Sequence, residues 1–221
     1  MKQRIEKIIP SKLETGFQKW VYRYAPYLPK WVTPNMLTAI GAVGGIIAAV
    51  SFFMASYCRW IYVSGIVGIM MHIVTDALDG HVARIKNMTS EAGAFFDIMV
   101  DVCLSTFVLI ALGLSRFAHI QIVVFAIPMY AMTIVTLMNY ILYLKEFPFP
   151  RFGPIESQLG YMVIAISGIV FDGKGLLTIG NIQLMAADIL LLIAMPFSYY
   201  ELARMQIQLF RRLQKKAGED A

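Results

Sequence analysis

Charge and cysteine are both scarce in this chain, and each shortage excludes something. Charged residues make up 15% of the 221 positions against 58% hydrophobic ones, with a mean hydropathy of +0.66. Soluble domains carry about 25% charged residues, so an ordinary soluble fold is set aside. The two cysteines, Cys58 and Cys103, lie far apart with no C-x-x-C. That spacing offers neither a disulfide framework nor a thiolate metal site and leaves them as small apolar packing residues. No apolar stretch opens the chain: residues 1–12 are basic and interrupted by Pro10, so no cleaved signal peptide is expected. Internal repeats, low-complexity tracts and domain linkers are lacking as well, and one helical domain is the simplest account.

Long apolar runs are present instead. Crossing a bilayer core of roughly 30 Å takes about 20 mostly apolar helical residues. Residues 34–57 contain no charge, and 61–75, 102–115, 117–144, 157–171 and 182–200 are similar. The expected fold is therefore all-α and integral to the membrane, with six transmembrane helices. A net charge of +5 would hint at nucleic acid in a soluble protein, but here the placement of the charges matters more than their sum. With six spans, the termini and the loops after the second and fourth helices share one side. That side holds every one of the 19 Lys and Arg residues except Arg59, Arg116 and Lys174. The positive-inside rule puts it in the cytoplasm, both termini included, and no nucleic-acid partner is expected.

Residues 1–32 read as a separate cytoplasmic segment and 33–221 as the six-helix membrane domain. The segment carries basic residues among Ile5, Ile8, Ile9, Leu13, Phe17, Trp20, Val21 and Tyr24, a helical apolar spacing. Ser11 with Glu14 fits a capping box, which predicts a helix over 12–24 lying amphipathically in the membrane interface. Thr33-Pro34-Asn35 then opens the first span, with Thr33 able to cap and Pro34 at the first helical position. Gly41, Gly44 and Gly45 suit close packing of another membrane helix. Pro128 and Pro196 are expected to bend the fourth and sixth helices.

The informative stretch holds four carboxylates. Asp76 and Asp79 are three apart and Asp97 and Asp101 four apart, so each pair shares one face of its helix. The short loop between them makes the two helices antiparallel neighbours, and both pairs end at the same depth near the cytoplasmic surface. An intramembrane Asp costs roughly 2.5 to 3.5 kcal/mol on insertion scales, so four together call for a compensating cation. Oxygen ligands without cysteine favour Mg²⁺ or Mn²⁺, and four carboxylates suffice for two ions. His72, His81 and His119 are read as packing or solvated residues rather than ligands. Gly80 and Gly93 leave room for a bulky ligand beside the metals, and Arg84, one turn beyond Gly80, can answer a phosphate charge. Two metals can clamp a transferring phosphoryl group.

The pattern D-x-x-D-G-x-x-A-R-x8-G-x3-D-x3-D is met at every fixed position by Asp76, Asp79, Gly80, Ala83, Arg84, Gly93, Asp97 and Asp101. With the six spans and the Thr33-Pro34-Asn35 entry, it resembles the CDP-alcohol phosphotransferase family. The resemblance implies a six-helix enzyme, usually a homodimer, acting on CDP-diacylglycerol or a related CDP-alcohol with a small or lipid alcohol as acceptor. It implies that Asp76, Asp79, Asp97 and Asp101 bind metal. Asn35, Asp76, Asp79, Gly80, Ala83, Arg84 and Gly93 would meet the CDP donor, and Asp101 would be the general base.

The acceptor is less legible. Members that make phosphatidylglycerol phosphate tend to carry G-K-x-K-T where this chain reads Gly153-Pro154-Ile155-Glu156-Ser157, and Val102 stands where many have a cation after the last aspartate. The Gly-Pro-x-Glu stretch is more similar to choline and ethanolamine phosphotransferases. Lys145, Arg151 and Arg204 are the acceptor-binding candidates. Asp188 and Glu201 are further intramembrane acids, with Asp188 read equally as a polar helix contact or a site residue. The competing classes are a divalent-cation transporter using the same carboxylates, whose broken, duplicated helices are missing here, and an inactive scaffold, which would have lost one of the four aspartates.

Overall fold

The computed structural model describes residues 6–8, 12–148 and 153–219. Helix α1 (Lys12–Tyr22) leads through a short 3-10 turn, Ala25–Tyr27, to α2 (Pro34–Met54). A second such turn, Arg59–Ile61, precedes α3 (Tyr62–Ile85), which a short loop joins to α4 (Glu91–Gly113). Then come α5 (Ile120–Val123), α6 (Ala126–Leu144), α7 (Pro154–Phe171) and α8 (Ala186–Glu219). Two short strand pairs complete the chain. β1 (Glu6–Ile8) runs parallel to β2 (Glu146–Pro148), and β3 (Leu177–Ile179) pairs antiparallel with β4 (Ile182–Leu184).

Among the described residues, five helical spans are long and apolar enough to cross a membrane: 34–54, 59–85, 91–113, 120–144 and 186–218. The expected sixth, α7, is a helix whose apolar part covers only 155–171, about 25 Å at the α-helical rise. Of the six expected spans, five are thus full-length among the described residues, and the place of the sixth is taken by this shorter apolar helix. The expected start of the last span also moves. Residues 182–184 form β4, because Gly180 at φ +60° and Asn181 make a two-residue hairpin turn between Ile179 and Ile182. Glycine supplies that positive φ without steric cost, and Gly-Asn between apolar residues is a hairpin signal. Pro128 falls in the first turn of α6, after a break at 124–125, rather than mid-helix, while Pro196 lies inside α8 as expected.

Thr33 caps α2 by accepting from Met36 N at 3.3 Å, with Pro34 in the first turn, as the sequence predicts. The Ser11 cap lies outside the described residues. The glycines of α2 bring it hard against α3: a Cβ at Gly44 would meet the Gly68 carbonyl oxygen at 2.6 Å, and one at Gly41 would meet Thr75 Oγ1 at 2.6 Å. The main core gathers Phe52, Tyr62, Ile69, Leu112, Phe117, Val123, Tyr161 and Ala165 from α2, α3, α4, α5 and α7. Outward, Ile40, Val43, Ile46 and Val50 of α2 stay exposed, an apolar exterior suited to lipid rather than water.

Candidate active site

The loop after α3 is set by two local features. Lys86 Nζ donates to the carbonyls of Pro29, Lys30 and Val32 at 3.3, 3.2 and 2.7 Å, which ties the end of α3 to the segment before α2. Ser90 caps α4 by accepting from Gly93 N at 3.0 Å. α3 and α4 pack chiefly against α2 on its two sides rather than as the direct neighbours expected from the short loop, and their aspartates still meet at one end.

The four aspartates converge. Carboxylate oxygens of Asp76, Asp97 and Asp101 lie within 4.8 Å of one another, and Asp97 is within hydrogen-bond reach of both Asp76 and Asp79. Asp79 is the deepest, 4% exposed, and accepts a hydrogen bond from Thr38 Oγ1 at 2.5 Å across the α2–α3 seam. Asp101 Oδ1 is buried with no hydrogen-bond partner among the described residues, and His72 Nε2 stands 3.3 Å from it. A buried carboxylate oxygen left open, inside a cluster of like charges, is the arrangement a divalent cation satisfies. The residues present fit such an ion.

A cleft of about 220 Å³ opens beside Asp79 and Asp97, walled by α2, α3, α4 and the loop between the last two. Asn35, Asp79, Gly80, Ala83, Arg84 and Gly93 all line it, so every expected donor contact except Asp76 faces one space. A Cβ at Gly93 would come within 3.0 Å of Ser90 Oγ and 3.3 Å of Asn35 Oδ1, which explains the glycine at that wall. Thr38, Thr89 and Ser90 also line the cleft and were not expected. Their only sequence signal is polarity at helix mouths.

Two of the acceptor candidates have contacts of their own. Lys145 ends α6 in the left-handed region at φ 59°, its Nζ donating to Leu142 O at 3.3 Å. Arg204 pairs with Glu201 at 3.1 Å, while Arg151 lies outside the described residues. Glu201 borders a second, larger cavity of about 670 Å³ between α4, α6, α7 and α8, lined mainly by apolar residues with Tyr130, Ser157, Tyr161 and Ser198. Tyr130 hydrogen-bonds to Ser105, one turn beyond Asp101, and lies in the electrostatic field of Asp101 and Asp76. Glu156 Oε2 accepts from Gly153 N at 3.0 Å and completes a cap for α7. Asp188, fully buried, accepts from His119 N, His119 Nδ1 and Met185 N at 2.8, 2.7 and 2.9 Å. Of its two expected readings, that geometry is the polar helix contact.

Residues 31–200 match the family model described as CDP-alcohol phosphatidyltransferase. Human cholinephosphotransferase 1 is 30% identical over 118 residues, covering 50% of this chain and 28% of its own. The choline/ethanolaminephosphotransferase 1 of Saccharomyces cerevisiae is 26% identical over 160 residues, 67% of this chain and 39% of its own. A CDP-diacylglycerol–serine O-phosphatidyltransferase of Helicobacter pylori is 35% identical over 77 residues, 35% of this chain and 30% of its own. The chain spans well under half the length of these relatives. With more than half of its residues matched to the family model and the aspartate pattern complete, the chain belongs to the CDP-alcohol phosphatidyltransferase family.

Proposed function

We propose that this chain is a membrane-embedded transferase of phospholipid synthesis that moves a phosphoalcohol group from a CDP-linked donor to an alcohol and releases CMP. The observation that carries the reading is the meeting of four aspartates at the inner end of a polar cleft that also gathers Asn35, Gly80, Ala83, Arg84 and Gly93. Asp76, Asp79, Asp97 and Asp101 would hold Mg²⁺ or Mn²⁺, two ions in all. Bound there, the ions would offset the clustered negative charge and polarise the donor pyrophosphate. Gly80 and Gly93 leave the cleft walls low enough for the nucleotide, and Arg84 answers its phosphate charge. Asp101 takes the acceptor hydroxyl proton as that oxygen attacks the β-phosphorus. The bond from the bridging oxygen to that phosphorus breaks, and the oxygen leaves with CMP.

CDP-diacylglycerol is the donor on the first reading, with its phosphatidyl group transferred to a small alcohol. A second reading, a small CDP-alcohol donor and a lipid alcohol acceptor, is favoured by the apolar chamber lined by Tyr130. Some relatives, too, are named for choline phosphotransfer. Orientation follows from the basic loops, which put the aspartate ends, the amphipathic α1 and both termini at the cytoplasmic face. The same proposal includes a homodimer.

The test is to supply purified full-length chain with Mn²⁺ or Mg²⁺ and either CDP-diacylglycerol plus a panel of small alcohols, or CDP-choline and CDP-ethanolamine plus diacylglycerol, while following CMP. Metal-dependent CMP release in one arm identifies the donor class. No CMP in either arm with either metal overturns the reading.

A further inference from the structure

Helix α1 lies outside the segment that matches the family, yet one of its side chains touches an arginine that lines the cleft. The helix is firmly seated. Val21 is 1% exposed and packs with Ala25, Val32, Leu37, Leu78 and Val82, and the Lys86 clip holds the backbone that follows. At the end of this helix the Tyr22 ring lies flat on His81, with centroids 3.8 Å apart and planes 7° from parallel. The Tyr22 hydroxyl accepts a hydrogen bond from Arg84 Nη2 at 3.4 Å. The other terminal nitrogen of Arg84, Nη1, is 3.5 Å from where a side chain at Gly80 would begin, so the guanidinium lies over the glycine in the cleft wall.

An exposed arginine at a helix end loses rotamer freedom whenever it grips a ligand, and holding it beforehand lowers that cost. The guanidinium has five N–H donors, and one directed to Tyr22 leaves the others for a phosphate. We propose that Tyr22 is a positioning residue that holds Arg84 over Gly80 for the donor phosphates, which makes α1 part of the nucleotide site. The inference rests on the proposed function in taking a CDP-linked ligand as the occupant of the cleft. Tyr22 has no contact with reacting atoms in this scheme, so it acts on donor affinity and not on the chemical step.

The experiment uses the full chain in detergent, titrated calorimetrically with CDP in the presence of Mn²⁺, alongside CMP-release kinetics. The variants are Tyr22→Phe, Arg84→Met and the pair together. Tyr22→Phe keeps the ring on His81 and loses the hydroxyl. It should weaken CDP binding and raise the donor KM about two- to tenfold with kcat unchanged, and add nothing once Arg84 is Met. A Tyr22→Phe variant that binds CDP like wild type, or that loses kcat with KM unchanged, overturns the inference. So does an equal loss with and without Arg84. Wild-type protein that binds no CDP sinks the proposed donor together with the inference, whereas binding without a Tyr22 effect sinks the inference alone.

Discussion

The four aspartates differ in surroundings despite their common side chain. Asp79 is held by Thr38, and Asp97 sits among the others, whereas Asp101 Oδ1 is buried with no hydrogen bond among the described residues and has His72 Nε2 3.3 Å away. On the proposed reaction Asp101→Asn removes the proton acceptor and keeps the shape. CMP release should fall about 10²- to 10⁴-fold, while calorimetry still detects CDP binding; full activity would rule out Asp101 as the base. Asp76→Ala should instead raise the Mn²⁺ concentration needed for half-maximal rate, read from a metal titration. The spacing of these residues was legible because two i, i+3 or i+4 pairs and a short loop leave little geometric freedom. Thr38 and Tyr22 were not legible, since each comes from another helix and neither lies in the motif. Asp188 was legible only as an intramembrane acid, and its partner His119 stands 69 positions away.

Among the elements, the α2–α3 seam does most to place the site. Gly44 faces the Gly68 carbonyl so closely that any side chain must push the helices apart, and Thr38 then leaves Asp79. Gly44→Val should cost about 1–3 kcal/mol and lower the thermal midpoint in detergent, with CMP release falling alongside it. At the far end, Asp188→Ala strips three hydrogen bonds from His119 and Met185 where α5 and α8 begin. That change should destabilise by about 1–3 kcal/mol, yet the folded fraction should keep its donor KM, because the contact lies away from the cleft. The small elements escaped the apolar pattern. β4 looks like the start of a membrane run by composition, and only the Gly180-Asn181 turn marks the β3–β4 pair. Helix α8 does the reverse, running 34 residues, about 51 Å, and carrying Arg211, Arg212, Lys215 and Lys216 beyond any bilayer core. Arg212 Nη1 pairs there with Glu146 Oε2 at 2.5 Å.

For the molecule as a whole, the carboxylate cluster stores repulsion that a bound cation would relieve, so metal and fold are linked. Mn²⁺ should raise the thermal midpoint of the wild-type chain and leave an Asp76→Ala, Asp97→Ala double variant unmoved; differential scanning fluorimetry in detergent checks this. A metal-independent midpoint would count against the cluster as a cation site. A cleft opens on Asp79 and Asp97 from the α2–α4 side, and a separate apolar chamber lies between α4, α6, α7 and α8.

The sequence by itself determined the class of fold and the chemistry, because hydropathy over some 20 residues answers to the bilayer alone and the aspartate spacing answers to helix geometry alone. Both are local properties that no distant contact can alter much. The tertiary structure decided which other groups join the aspartates. Thr38, Tyr22 and Tyr130 come from helices whose order in the chain says nothing about their distance in space. It also decided what Asp188 and Arg204 touch, His119 with Met185 in the one case and Glu201 in the other, since a lone charge on a membrane helix has the same local signature whether it binds a ligand or ties one helix to another.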